Sequence, residues 1–286
     1  MLAYRHAFHA GNHADVLKHL VLAQVLVHMA AKAKPFSYID THAGAGGYSL
    51  ESRYAQKNAE SVTGIERIWE RTDLPAALAH YVALVSNFNG GASLKTLEQY
   101  PGSPAIANLL LRPTDPLHCY ELHPTDEKIL RAYLVERPNA KVTLADGYAA
   151  LAKELPPPSR RGVVLIDPSY EIKTDYVRTL AALREALDKF AQAVILVWVP
   201  QVALVEAREL PRRLGNAAAD APKGWLHAQL TVAPPGAKGY GMTGSSMVVI
   251  NPPHGLAETL RKVLPFLAQS LGQFDGAAHK LELHER

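Results

Sequence analysis

The stretch of sequence that decides the fold reads Val163-Val164-Leu165-Ile166-Asp167-Pro168-Ser169-Tyr170. Its apolar half does not alternate with polar residues, which is typical of a strand buried on both faces. Pro168 has no backbone N–H and cannot continue a central strand, so the strand should end beside Asp167. The sequence therefore predicts a carboxylate and an aromatic ring at the carboxyl end of a strand, where open α/β sheets bind their ligands.

The residues after this strand fit one chemical task. The exocyclic amine of a nucleobase is a poor nucleophile because its lone pair is delocalised into the ring. Asp167 and the carbonyl of Pro168 can each accept one amine hydrogen, while Tyr170 stacks on the base. The stretch resembles the Asp/Asn-Pro-Pro-aromatic tetrad of amino-methyltransferases that use S-adenosylmethionine, with Ser169 in place of the more usual second proline. The competing interpretation is an ordinary strand-ending turn.

Composition sets wide bounds on the function. The 286 residues are 48% hydrophobic, which is ample for one large domain with an insertion or for two small domains. The net charge of +3 is compatible with nucleic acid without requiring it. The single cysteine, Cys119, excludes an internal disulfide framework and suits a reducing compartment. No signal core opens the chain and no apolar run approaches the ~20 residues of a membrane span, so we expect a cytoplasmic protein without membrane partners.

Strands alternate with helical patterns along most of the chain. This order predicts a largely parallel central sheet with helices on both faces. A first helix is predicted over 13–32, with Asn12 as its N-cap. The five predicted core strands and the closing antiparallel pair are 36–39, 117–120, 141–144, 163–166 and 193–199, followed by 226–232 and 246–250.

The ends of four successive strands carry groups suited to a nucleoside ligand. A glycine-rich turn with Gly44 follows the first strand and lets a ligand approach the backbone. An acid at the end of the second strand can accept both ribose hydroxyls. Asp146 and Gly147 follow the third strand, where the carboxylate can face an adenine amine and the glycine leaves room for the ring. The tetrad follows the fourth strand.

Two residues compete for the role of ribose acid. Glu66 lies about 20 residues after the glycines, the spacing expected of a nucleotide-binding fold. Glu121 ends a clearer strand and lies closer to Asp146. Spacing favours Glu66 and strand quality favours Glu121, so these two criteria leave both open.

Seven blocks of sequence resemble the ribosomal large-subunit methyltransferase J family, and the similarity extends over essentially the whole chain. The blocks are 4–19 (YRHAFHAGNHADVLKH), 40–46 (DTHAGAG), 100–104 (YPGSP), 121–124 (ELHP), 160–162 (RRG), 242–244 (MTG) and 251–253 (NPP). The resemblance implies a Rossmann-like class I S-adenosylmethionine-dependent methyltransferase. It also implies N6-methylation of one adenine of 23S ribosomal RNA, commonly numbered 2030, with S-adenosylhomocysteine as the second product.

The resemblance also implies a domain organisation, the cofactor contacts other than Gly44, the catalytic Asp167 and the substrate contact Tyr4; the remaining expected site residues follow from the patterns described above and from the side chains of the N-terminal motif. The methyltransferase core comprises 1–50, including an N-terminal helical motif over 1–32, and 100–286; a helical insertion occupies 51–99. Glu121 becomes the ribose acid. The expected catalytic residues are Asp167, Pro168 and Tyr170. The expected cofactor-binding residues are His19, His42, Gly44, Ser103, Glu121, Asp146 and Gly147. The expected RNA contacts are Tyr4, Arg5, His6 and Lys18, with Arg5 and Lys18 placed on phosphates.

The histidines of the N-terminal motif do not predict a metal site, because no cysteine accompanies them and carboxylates are few. The expected partner is 23S ribosomal RNA, protein-free or in an early assembly intermediate, bound by a monomer. The rival functions are methylation of DNA adenine or of guanine N2 in ribosomal RNA, a nucleotide-binding oxidoreductase, and a non-catalytic RNA-binding protein.

Overall fold

The structure is a computed structural model, and it describes residues 6–91, 96–236 and 241–286. Tyr4 and Arg5 lie outside the described residues. The strands are β1 (Ser37–Asp40), β2 (Gly47–Ser49), β3 (Gln99–Pro101), β4 (Leu117–Glu121), β5 (Ala140–Leu144), β6 (Gly162–Ile166), β7 (Val194–Gln201), β8 (Trp225–Thr231), β9 (Gly244–Ile250) and β10 (Ala278–His284). The helices are α1 (His13–Ala30), α2 (Arg53–Asn58), α3 (Glu66–Trp69), α4 (Ala76–Phe88), α5 (Ser103–Leu110), α6 (Pro124–Tyr133), α7 (Gly147–Glu154), α8 (Thr174–Lys189), α9 (Val205–Ala217) and α10 (Leu256–Leu271), with 3₁₀ turns at His6–Phe8 and Glu60–Thr63.

An eight-stranded sheet organises the molecule, in the order β10-β8-β9-β7-β6-β1-β4-β5. Strands β5, β4, β1, β6 and β7 are parallel, whereas β9, β8 and β10 each pair antiparallel with their neighbours. The predicted α/β class and mostly parallel, Rossmann-like sheet are confirmed. Each predicted strand lies within two residues of an observed one. Strand β10 and the β2–β3 hairpin were not predicted.

Both faces of the sheet are covered by helices, which explains why β6 is apolar at every position. Val163 and Leu165 of β6 point to a cluster shared with α1, α4, α5 and α10. Val164 and Ile166 point to the other cluster, with α7, α8 and α9. Because neighbouring side chains of a strand point to opposite faces, a strand between two helical layers needs no polar positions.

The first helix, α1, begins as predicted, with the Asn12 side chain accepting from Ala14 N and Asp15 N, both at 2.9 Å. Most of its side chains are buried, including the charged Asp15 and Lys18. Burial of a charged group costs free energy unless the group is paired. Asp15 and Lys18 are therefore candidates for a functional cluster.

The segment predicted as an insertion, 51–99, contains α2, α3 and α4 between the two strands of the hairpin. Strands β2 and β3 pair, which brings the two ends of the segment together. Buried residues of α4, including Leu78 and Tyr81, join the same cluster as α1. The division of the chain into a core and an insertion remains a prediction. No helix of the described residues has the length and apolarity to cross a bilayer.

Candidate active site

A cavity of about 760 Å³ opens at the carboxyl ends of the parallel strands. This is the edge at which α/β sheets bind ligands. It brings together residues from distant parts of the sequence. The expected site residues that line it are His6, Lys18, His19, His42, Gly44, Ser103, Glu121, Asp167, Pro168 and Tyr170. Asp146 and Gly147 do not line it but lie immediately behind its wall, as described below.

Asp167 follows the last residue of β6 and lines the cavity. Its Oδ2 accepts a hydrogen bond from Lys18 Nζ at 2.6 Å. Its Oδ1 accepts none from any described residue, and neither does the carbonyl of Pro168. Two acceptors in neighbouring residues are therefore available to a ligand with two donor hydrogens.

Lys18 is not on the surface, where a phosphate-binding residue was expected. Its ammonium lies between two carboxylates, 2.8 Å from Asp15 Oδ1 and 2.6 Å from Asp167 Oδ2, with 5% of the side chain exposed. His6 Nε2 lies 2.9 Å from Asp15 Oδ2 on the far side. This placement gives no support to a phosphate contact by Lys18 and makes it instead the counter-ion of the expected catalytic carboxylate.

The pKa values of this cluster follow from burial opposed by the ion pairs. Burial raises the pKa of Asp167, and Lys18 opposes that rise. Burial acts in the same direction on Asp15, but His6 and Lys18 hold its pKa well below the usual range. Burial disfavours the Lys18 ammonium, yet Asp15 and Asp167 raise its pKa above the ordinary value. The cluster therefore contains a fixed cation between two carboxylates of unequal acidity.

Tyr170 is held in an uncommon backbone conformation, with φ of 54°. A left-handed conformation costs a non-glycine residue of order 1 kcal/mol or more and persists only where the surroundings enforce it. The Tyr170 hydroxyl donates to the Trp198 carbonyl at 2.8 Å, and its ring lies 4.6 Å from that of Tyr176. The Trp198 ring also lines the cavity, 5.9 Å from Lys18 Nζ. These contacts fix the aromatic end of the tetrad.

Glu121, at the end of β4, is the acid that reaches the cavity. Its Oε2 accepts from Gly44 N and its Oε1 from His123 N, both at 2.7 Å. Gly44 has φ of 61°, so the glycine-rich turn depends on a residue without a side chain at this position. Burial raises the pKa of Glu121. Glu66, the competing acid, lies exposed at the start of α3 and accepts from Ser61 Oγ at 2.6 Å.

Asp146 and Gly147 begin α7 directly behind the turn that follows β1. Asp146 caps the helix, accepting from Tyr148 N at 3.0 Å, and its other oxygen is bound by Arg178. A Cβ on Gly147 would lie 2.0 Å from the Thr41 carbonyl oxygen, so the close approach of α7 to β1 requires glycine. Arg178, which lines the cavity, stacks on the Tyr148 ring at 4.5 Å and was not predicted.

Two histidines of the cavity wall are held neutral by burial. Burial lowers the pKa of His42 to about 3, and its Nδ1 lies 2.7 Å from Thr41 Oγ1. Burial also lowers the pKa of His19 well below its usual value, and its Nδ1 lies 2.9 Å from the Tyr100 hydroxyl. Within the described residues, no group of three His, Cys, Asp or Glu side chains could hold a metal ion.

A buried acid beneath the turn, Asp40, was also missed. It ends β1, is fully buried, and accepts from the Tyr38 hydroxyl at 2.8 Å and from the Ser103 side chain. Burial raises the pKa of Asp40 to about 6, with Ser103 and Tyr38 opposing the rise. Ser103 also lines the cavity, so its contact with Asp40 connects the start of α5 to the end of β1 at this site.

Comparison with known proteins gives consistent relatives along the chain. A family model described as "Ribosomal RNA large subunit methyltransferase D, RlmJ" matches residues 33–282. A protein of Escherichia coli K12 named Ribosomal RNA large subunit methyltransferase J is 45% identical over 271 residues, 95% of this chain and 94% of that protein. A protein of the same name from Haemophilus influenzae is 42% identical over the same shares. The crystal structure of protein LPL1258 from Legionella pneumophila has a TM-score of 0.86 at 33% identity, covering 96% of this chain and 98% of that one.

Proposed function

This chain belongs to the RlmJ family of ribosomal RNA large subunit methyltransferases, and from that premise we propose that it transfers a methyl group from S-adenosylmethionine to N6 of one adenine in 23S ribosomal RNA. The target numbered 2030 is proposed from the family resemblance of the sequence blocks. The observation that carries the proposed chemistry is the pair of open acceptors, Asp167 Oδ1 and the Pro168 carbonyl, beside a fixed tyrosine.

The two acceptors suit an amine with two hydrogens. Each would take one N6 hydrogen, which draws the nitrogen lone pair out of conjugation and toward the methyl donor. A ring nitrogen or a hydroxyl offers at most one hydrogen and would leave a buried acceptor unsatisfied, at a cost of about 1–3 kcal/mol. Asp167 and Pro168 thereby favour an exocyclic amine over other nucleophiles of RNA.

Lys18 sets the state of Asp167 during transfer. A bound cofactor supplies a methyl group already activated by a positive charge on sulfur, and that carbon–sulfur bond breaks as the carbon–nitrogen bond forms. The nitrogen must then lose one proton, for which Asp167 Oδ1 is the adjacent acceptor before release to water. The Lys18 ammonium on Oδ2 favours the carboxylate form, so Asp167 is an acceptor when the amine arrives.

The cavity residues fit a positively charged nucleoside cofactor. Each Glu121 oxygen accepts one backbone N–H and retains a further acceptor site, so the carboxylate can still bind the two ribose hydroxyls. His19 and His42 are held neutral and would not repel the sulfonium. We propose that Gly44, Ser103, Asp146 and Gly147 complete this binding site around them.

The adenine has to leave its base-paired stack to reach Asp167, as in other enzymes that act on a base edge. Tyr170 is the proposed stacking partner, and Tyr4, Arg5 and His6 are proposed RNA contacts. We propose a cytoplasmic monomer that acts without a metal on protein-free RNA or an early assembly intermediate.

The test offers methyl-labelled S-adenosylmethionine with protein-free 23S RNA from cells lacking this gene, and with duplex DNA. The methylated base is identified by mass spectrometry. The expected product is N6-methyladenine in the RNA, with no methylation of the DNA. Methylated guanine in the RNA, or methyl transfer to the DNA instead, would overturn the proposed substrate.

Asp167→Ala should abolish transfer while changing cofactor affinity by less than about tenfold, the equivalent of 1.4 kcal/mol. Asp188→Ala, which removes an exposed carboxylate of α8, is the matched control and should transfer normally. Loss of cofactor binding in Asp167→Ala, or retained transfer, would remove Asp167 from the catalytic role.

A further inference from the structure

One rim of the cavity continues into an aromatic surface. The 3₁₀ turn His6–Phe8 forms this rim, since His6 and His9 line the cavity on either side of Phe8. Helix α2 packs on the turn. The ring of Phe8 lies 5.2 Å from that of Tyr54 at 84°, and Tyr54 remains 44% exposed. An aromatic face therefore extends outward from the cavity mouth.

The same surface carries two exposed cations. Arg53 and Lys57 lie on α2 at a spacing of four residues, which places them on one side of the helix. Lys57 Nζ lies 5.7 Å from the Phe8 ring, and neither cation pairs with a carboxylate of any described residue. The acid nearest to Arg53 in sequence is the exposed Glu51, while Glu60 is bound to His9 and Asn12.

Surface aromatic rings next to unpaired cations are groups that bind single-stranded nucleic acid, the rings by stacking on bases and the cations by contacting phosphates. Here Tyr54 is exposed and Phe8 is partly exposed. We propose that Phe8, Arg53, Tyr54 and Lys57 form an RNA-binding platform for the unpaired nucleotides that flank the target adenine. This inference rests on the proposed function, because a base that enters the cavity leaves its neighbours unpaired at the rim.

The platform is tested with Arg53→Gln/Lys57→Gln. The loss of two phosphate contacts should reduce the slope of log K against log [KCl], for binding to unmodified 23S transcript, by about 1.4. At about 0.15 M KCl the RNA should bind about tenfold more weakly. The matched control, Arg184→Gln/Lys189→Gln, removes the same charge from the second half of α8. That helix begins at the cavity and runs roughly 24 Å away from it toward β7. The control should bind and turn over RNA as the unaltered protein does.

Three further variants separate charge from stacking. Tyr54→Ala should weaken RNA binding by at least about fivefold, the lower end for one base stack, while Tyr54→Phe should retain it. Glu51→Gln removes the opposing carboxylate and should tighten binding. Cofactor affinity and the urea midpoint should stay unchanged in all five variants, which excludes misfolding as the cause.

Equal salt dependence in the α2 and α8 double variants overturns the platform, as does equal binding by Tyr54→Ala and Tyr54→Phe. Failure of the unaltered protein to methylate RNA overturns the proposed function instead. The two failures are thus distinguishable within one set of assays.

Discussion

Replacing Lys18 by methionine should leave two buried carboxylates without the cation between them. Asp15 and Asp167 lie 2.8 and 2.6 Å from Lys18 Nζ, with only 2% and 12% of their side chains exposed. Removing one partner of a buried ion pair costs about 3–5 kcal/mol, because the remaining charge is uncompensated. Asp15 keeps His6 as a partner. We therefore expect a loss of about 3 kcal/mol in the free energy of unfolding at pH 7.5.

The loss should depend on pH, and its sign follows from the pKa of Asp167. Burial raises that pKa and Lys18 opposes the rise, so the pKa should be higher still in Lys18→Met. The folded variant then holds a proton that the unfolded chain releases above about pH 4. Stability of the variant relative to the unaltered protein should accordingly fall as pH rises through the folded pKa, and should recover on acidification.

Urea unfolding at pH 5 and pH 7.5, followed by tryptophan fluorescence, measures both effects. The loss at pH 5 should be less than half that at pH 7.5. Adding Asp15→Asn to Lys18→Met should cost less than the sum of the single changes, because it removes one of the stranded charges. Lys262→Met removes an exposed lysine paired with Glu258 and should stay within about 0.5 kcal/mol. A loss below about 1 kcal/mol, or one equal at both pH values, would refute this account of the cluster.

Three other changes test the surrounding groups. Because burial raises the pKa of Asp40 to about 6, ionisation of Asp40 destabilises the folded protein as pH rises from about 4 to 6. Across that window, urea unfolding should show Asp40→Asn gaining up to about 3 kcal/mol of stability over the unaltered protein. A stability difference that does not change with pH would contradict this. Arg178→Gln frees one oxygen of Asp146 and should weaken S-adenosylhomocysteine binding by up to about fivefold in calorimetry, whereas unchanged affinity would exclude a positioning role. Gly147→Ala forces a Cβ against the Thr41 carbonyl and should lose about 1–3 kcal/mol of stability together with cofactor affinity; full stability would show that the turn can move.

The sheet was largely predictable because the signals for its strands are local. An apolar run followed by proline defined β6, and the other predicted strand ends of the site were marked by a glycine-rich turn, an acid or Asp-Gly. The hairpin strands β2 and β3 have three residues each, too short for periodicity to be visible. Strand β10 is an edge strand with exposed and half-exposed residues, so it lacks the apolar run that marked the others.

The sequence predicted which strand ends carry residues of the candidate site, but it did not predict which side chains of the site pair with one another. The sequence predicted that Lys18 contacts an RNA phosphate, but its side chain is buried between Asp15 and Asp167. Lysine is almost never buried unless it is paired, and which carboxylates pair with it depends on contacts between residues far apart in sequence. The partnership of Lys18 with Asp167 was therefore beyond any local pattern, as was that of Arg178 with Asp146.

During synthesis on the ribosome, Lys18 is made well before its partner Asp167. The two residues are 149 positions apart, and synthesis at about 5–20 residues per second separates them by roughly 7–30 s. Throughout that interval Lys18 can already meet Asp15, three residues before it on the same helix. Within the first helix, Lys18 thus has Asp15 as its partner from the start and pairs with Asp167 only once β6 has been made. A nascent fragment that ends before β6 therefore carries Lys18 but not the proposed catalytic carboxylate.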